Sequence, residues 1–118
     1  VNIADYQEKS RETWTTIDRM TDELHALIGL SGEVGELHEK IKKLHRDIYP
    51  TCNTLGDMSI SLKSVKSSIS KELGDIAYYL CRVADRYDIN MADVLFQNIE
   101  KIRDRKNRGV LSGSGDNR

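Results

Sequence analysis

Gly29-Leu30-Ser31-Gly32-Glu33-Val34-Gly35-Glu36-Leu37 and Glu72-Leu73-Gly74-Asp75-Ile76-Ala77-Tyr78-Tyr79-Leu80 are the two stretches from which the fold is read. Each carries two acids at i and i+3, which a helix places on one face about one turn apart. Like charges so placed repel, and an isolated helix gains nothing from them. A divalent cation reverses that sign. Each pair has a glycine directly before its second acid, and Gly32 directly precedes Glu33. A glycine inside a helix costs about 1 kcal/mol relative to alanine. Its repetition beside paired acids suggests that something approaches the backbone closely. Two helices therefore present four carboxylates, Glu33, Glu36, Glu72 and Asp75, to a shared site. Magnesium, which prefers oxygen ligands and keeps several waters, suits such a quartet, with manganese as its substitute.

The flanks of both stretches read as helix. Thr21 is the expected N-cap of the first acidic helix, with Asp22 and Glu23 in the turn that follows. Leu24, Leu27, Ile28, Val34, Leu37, Ile41 and Leu44 then step by mostly three and four, an amphipathic pattern running to about His45. Glu33 edges that stripe and Glu36 lies further round. Glu39 continues the series, either as a fifth ligand or as a solvated acid. In the second acidic helix, from about Ser70 to Tyr87, Ile69, Leu73, Ile76, Ala77, Leu80, Val83 and Ala84 form the stripe. Glu72 and Asp75 flank it on one side. Two antiparallel helices packed by these stripes bring both acid edges together.

Residues 1–20 read as a first helix or helical arm, from Ile3, Tyr6, Trp14 and Ile17. Trp14, the only tryptophan, is a core anchor or a stacking wall for a nucleobase. Pro50 and the turn residues after it break the pattern, so about 47–66 is the expected long connection, with serine-rich 61–70 a weak lead-in to the next helix. Asn90 is placed to cap a last helix with Asp93 three residues on. On that helix Asn98, Lys101 and Arg105 share a face. Alone this is an ordinary basic face; beside four acids it is a place to hold phosphates. Residues 107–118 form a glycine- and serine-rich tail.

One domain over 1–118 is expected from the length, and all-α architecture from 31% charged residues, 6% aromatics and one proline. A net charge of −1 gives no general case for duplex nucleic acid. No apolar run approaches the ~18 residues of a membrane span, and no secretory start is seen, so a cytoplasmic location is expected. Cys52 and Cys81 make no disulfide framework. Zinc and di-iron chemistry lack their ligands: His25, His38 and His45 do not pair at ligand spacing, and no Glu-x-x-His occurs. No phosphate loop, dinucleotide fingerprint or serine elbow is present.

The two acidic stretches, with Asn98-Ile99-Glu100-Lys101-Ile102-Arg103-Asp104-Arg105, closely resemble the MazG-like nucleotide pyrophosphohydrolases of the all-α nucleoside triphosphate pyrophosphohydrolase superfamily. The resemblance covers about 24–45 and 70–118. It implies a bundle of about four to five helices completed by dimerisation, often as a dimer of dimers, and hydrolysis of a nucleoside triphosphate to monophosphate and pyrophosphate. It implies metal ligation by Glu33, Glu36, Glu72 and Asp75, with Glu33 or Glu36 as a possible general base. It also implies phosphate contacts from Asn98, Lys101 and Arg105. The tail ending in Arg118 resembles the family's C-terminal signature and would fold over the nucleotide. Tyr6, Trp14, Tyr78 and Tyr79 are candidates for stacking the base. The 35 residues between Glu36 and Glu72 exceed the usual family gap, which leaves the base open. A dUTPase-like enzyme confined to one base and a non-catalytic helical dimerisation module are the rival readings.

Overall fold

A computed structural model describes residues 1–118 as four α-helices without a strand: α1 (Ile3–Ser10), α2 (Arg19–Lys43), α3 (Leu55–Arg86) and α4 (Met91–Asn107). The all-α expectation holds, and local hydrogen bonds explain where the boundaries differ from it. The cap of α2 is Asp18, not Thr21. The Asp18 carboxylate accepts from the Thr21 amide at 2.8 Å and from the Thr21 hydroxyl at 2.7 Å, so the expected cap is itself the capped residue. Residues 1–20 are not one helix. After α1 comes a 3-10 turn, Arg11–Thr13, and then an extended run to Asp18. The Ser10 and Thr13 hydroxyls bond back to the carbonyls of Gln7 and Ser10, an alternative to continuing the helix.

The connection is shorter than 47–66. A π turn at Leu44–Ile48 and a 3-10 turn at Tyr49–Thr51, containing Pro50, lead directly to α3. Thr54 and Asp57 form a reciprocal capping box, which starts α3 at Leu55 and makes the serine-rich segment part of a single 32-residue helix. Ser64 and Ser70 satisfy their hydroxyls on carbonyls of the preceding turn, so they do not break it.

Helices α2 and α3 run antiparallel. Tyr87 donates to Glu23, Tyr79 meets Gly29, and Lys40 lies near Glu72, pairs that ascend one helix and descend the other. Helix α1 is tied across α3 by polar bonds. Gln7 donates to Asp85 at 2.7 Å and to the Ile89 carbonyl at 2.9 Å, and accepts from the Met91 amide at 2.9 Å. Arg11 clasps the Asp85 carboxylate with two bonds, and buried Arg82 reaches Asp85, Ser10 and the Gln7 carbonyl. Helix α4 leaves through a turn in which Asp88 takes φ 54°. Asn90 caps it, as expected, by accepting from Ala92 and Asp93. It packs on α1 and does not lie along α2 or α3.

The apolar stripes pack the two helices together only in part. Only Ala26, Leu44, Cys81 and Ala84 are buried apolar residues. Leu24, Leu27, Ile28, Leu73 and Leu80 of the stripes are exposed, as are Val94, Leu95, Phe96, Ile99 and Ile102 on α4. The radius of gyration, 18.2 Å, is well above the roughly 13 Å of a compact 100-residue domain. No helix is long and apolar enough to cross a membrane.

The Asp85 network sets a stability prediction. Burial raises the Asp85 pKa, but bonds from Arg11 and Gln7 and the charges of Arg82 and Arg11 outweigh it and hold it below the ordinary aspartate value. A depressed carboxylate contributes stability above its unfolded pKa and loses it as pH falls through the folded one. Asp85→Asn is expected to cost about 2 kcal/mol at neutral pH in urea unfolding, and the difference from wild type should shrink as pH falls below about 4.

Candidate metal centre

The antiparallel register brings acids of the two helices together. Glu33, Glu72 and Asp75 each offer a carboxylate oxygen, all within 4.8 Å of one another. Glu72 is the most enclosed, at 8% exposure, while Asp75 is exposed. The Glu33 pKa is raised, by burial first and then by the negative charges of Asp75, Glu36 and Glu72. Three hard oxygen donors that repel one another fit a hard divalent cation such as magnesium or manganese, whose charge would turn the repulsion into ligation. Glu36 stands outside this group of three and is exposed. Glu39 is engaged elsewhere, with Lys42 at 2.8 Å and Lys43 at 3.9 Å, which argues for the solvated-acid reading over a fifth ligand.

One turn from the acids the groove becomes aromatic. Tyr79 is four residues beyond Asp75 on α3, and Gly29 is four before Glu33 on α2. A Cβ at Gly29 would stand 2.3 Å from the Tyr79 ring, so the ring occupies space that only glycine leaves. Trp14, from the extended run before α2, meets His25 at 4.7 Å between ring centroids and Tyr79 edge-on at 6.4 Å. A cavity of about 410 Å³ opens beside Trp14, lined also by Thr16, Arg82 and Arg86. The close backbone approach expected at the acid-pair glycines is therefore found at Gly29. Gly32, Gly35 and Gly74 face open space, and a Cβ added at any of them would meet nothing within 4 Å.

A sequence profile of the MazG nucleotide pyrophosphohydrolase domain matches residues 21–110. The chain belongs to the MazG nucleotide pyrophosphohydrolase family. The Gene 37 protein of Mycobacterium phage L5 is 34% identical to it over 94 residues, spanning 80% of this chain and 75% of that protein. No solved structure matches. The match spans α2, α3 and α4, and so both helices that carry the acid cluster.

The basic face of the MazG domain is not brought to the acids within one chain. Asn98 and Lys101 are exposed on α4, and no ion pair joins α4 to Glu33, Glu36, Glu72 or Asp75. Arg105 does not share their exposure. It is buried beneath the tail, donating to the Asp116 carbonyl at 2.8 Å and the Gly115 carbonyl at 3.4 Å. Asp116 in turn lies 3.5 Å from Lys101. Arg118 closes the tail by donating to the carbonyls of Gly115, Leu111 and Val110. The physical reason is topological: the short turn after Tyr87 sends α4 toward α1, away from the α2–α3 groove. The sequence reading missed Lys40, His25 and the role of Gly29. Lys40 and His25 carry helical-register signals, one turn after Glu36 and one turn before Gly29; nothing in the sequence distinguishes Gly29 from its neighbouring glycines.

The Gly29–Tyr79 interlock yields a sign that propensity alone would reverse. Alanine in a helix gains about 1 kcal/mol over glycine. Overpacking against a ring held between Trp14 and His25 costs about 1–3 kcal/mol. Gly29→Ala is expected to be destabilising in thermal or urea unfolding, and the same substitution in a Tyr79→Ala background to be neutral or stabilising.

Proposed function

We propose that this chain is a divalent-metal-dependent hydrolase that converts nucleoside triphosphates to the monophosphate and pyrophosphate, in nucleotide-pool cleansing or turnover. The observation that carries the reading is the convergence of Glu33, Glu72 and Asp75 between α2 and α3 in a MazG chain. A cation held there, magnesium or manganese, would offset charge on the phosphate oxygens and acidify a nearby water. A water oxygen bonds to the α-phosphorus as the bond to the bridging oxygen of pyrophosphate breaks. Glu36, free of the cluster and adjacent to it on α2, takes the water's proton as general base. The base enters beside Tyr79, one turn from the acids, and Trp14, a turn beyond it. The remaining demand on the protein is positioning and electrostatics, as in phosphoryl transfer generally.

The oligomer is part of this reading. The uncovered leucines of α2 and α3 and the apolar side of α4 support a homodimer, or a tetramer built from it. The second copy would supply Asn98 and Lys101 to phosphates held at the first copy's acids, with Arg105 holding the Arg118-closed tail beside them.

Incubation with eight common ribo- and deoxyribonucleoside triphosphates, with and without magnesium, tests the reaction. Monophosphate and pyrophosphate are expected only with metal, and Glu36→Gln should lower the rate at least about 100-fold. Diphosphate and orthophosphate, or no turnover, would overturn the reading. A sharp preference for dUTP would move it to the single-base alternative. Shared sites are tested by mixing Glu72→Gln with Lys101→Ala under subunit exchange. Random pairing should recover about a quarter of wild-type activity if α4 serves the partner, and none if each chain serves itself.

A further inference from the structure

The groove between α2 and α3 has an order along its length. From the α2 N-terminus it passes Trp14 and His25, then Tyr79 against Gly29, then Glu33 with Asp75, then Glu72, and ends at Lys40. On α2 alone His25 lies about 12 Å before Glu33, and Lys40 about 10 Å beyond it. An aromatic end, an acidic centre and a cationic end match the parts of a nucleoside triphosphate in sequence: base, metal-bound α-phosphate, departing phosphates.

Lys40 is the cation that the chain itself places at this centre. Its Nζ lies 3.9 Å from Glu72 Oε1, and no other ion pair reaches Glu33, Glu36, Glu72 or Asp75. The neighbouring bases are committed elsewhere: Lys42 and Lys43 to Glu39, Arg46 to Asp47. Lys101 and Arg105 face Asp116. Lys40 is 40% exposed and Glu72 10% exposed at the side chain, so the ammonium sits at the mouth of the groove above an enclosed carboxylate. A separation of 3.9 Å is a loose pair that leaves the donors of Lys40 free for a ligand.

We propose that Lys40 binds the pyrophosphate portion of the substrate and steadies it as it departs, and that without ligand it serves as the counter-charge of Glu72. This rests on the pyrophosphohydrolase reading for its ligand, but the Lys40–Glu72 contact stands apart from it. The two roles give opposite signs. As a counter-charge, Lys40 competes with a divalent cation for Glu72. As a phosphate contact, it supplies a charge-assisted bond to an oxygen of the departing group.

Two binding titrations test this, with manganese alone and with inorganic pyrophosphate in the presence of magnesium. Lys40→Gln is expected to bind manganese up to about five-fold more tightly, the worth of a partly exposed pair. It is expected to bind pyrophosphate at least about ten-fold more weakly. Lys40→Arg should restore pyrophosphate binding, and Lys43→Gln, on the same helix but facing Glu39, should change neither. A residue of merely structural importance would move both affinities down together. Manganese binding that weakens or stays unchanged in Lys40→Gln overturns the counter-charge role. Pyrophosphate binding that is unchanged, or absent from the wild type, overturns the phosphate role. If the wild type binds both probes yet cleaves no triphosphate, the pyrophosphohydrolase reading fails and the Lys40 assignment survives it.

Discussion

Repulsion among the carboxylates between α2 and α3 is the constraint to which the rest of the chain answers. Three acids from two helices place oxygens within 4.8 Å, at the point where a helical hairpin would ordinarily bury leucine. Like charges this close oppose the packing of the two helices unless a cation stands between them. The raised Glu33 pKa expresses its burial first and that crowding second, and the single nearby cation, Lys40, pairs with Glu72 alone. Something else must hold the two helices in register, and one contact between them does so. The Tyr79 ring seated over Gly29 resists sliding, because alignment of any residue but another glycine with the ring would put a Cβ into it. The Gln7–Arg11–Arg82–Asp85 network fastens α1 across the far end of α3.

These devices explain which parts of the molecule could be read in advance. Helical type followed from the three-and-four spacing of apolar residues, a signal that needs no knowledge of partners. Three of the four expected acids came together because antiparallel packing opposes Glu33 to Glu72 and Asp75, while Glu36, one turn on from Glu33, stands outside the group. The boundaries were harder, since they turn on competition between adjacent candidates. Asp18 and Thr21 are both good caps, and the one that wins does so by accepting two bonds from the other. Asn53 to Asp57 looks like a loop by composition, yet Thr54 and Asp57 stand at the spacing of a capping box. Counting turn-prone residues weighed them singly where the reciprocal pair decided the outcome.

Tertiary placement was the least accessible. Nothing in the glycines themselves separates Gly29, which a ring covers, from Gly32, Gly35 and Gly74, which face open space. The difference lies in Tyr79, fifty residues away. Complementary charge suggested that Asn98, Lys101 and Arg105 should meet the acids. The four-residue turn Tyr87–Asn90, with Asp88 in the left-handed region, directs α4 toward α1 instead. Arg105 then spends its guanidinium on tail carbonyls, since a buried arginine must find acceptors wherever the chain supplies them.

The exposed leucines and the distance of α4 from the acids have a common answer in the proposed homodimer. Burying a leucine or isoleucine side chain is worth about 1.5–3 kcal/mol, and this chain leaves Leu24, Leu27, Ile28 and Leu73 half or more exposed. The helical spacing of those positions supports the homodimer proposed above. It is the pattern of a face that packs against another helix. The same chain presents an acidic cluster short of cations and, on a separate helix, a lysine facing only the exposed Asp116. One association that covers the leucines can also carry the second copy's α4 toward the acids. Burial would then supply the free energy, and the charges would select the orientation, which is the division of labour expected where electrostatic complementarity fixes register more than affinity.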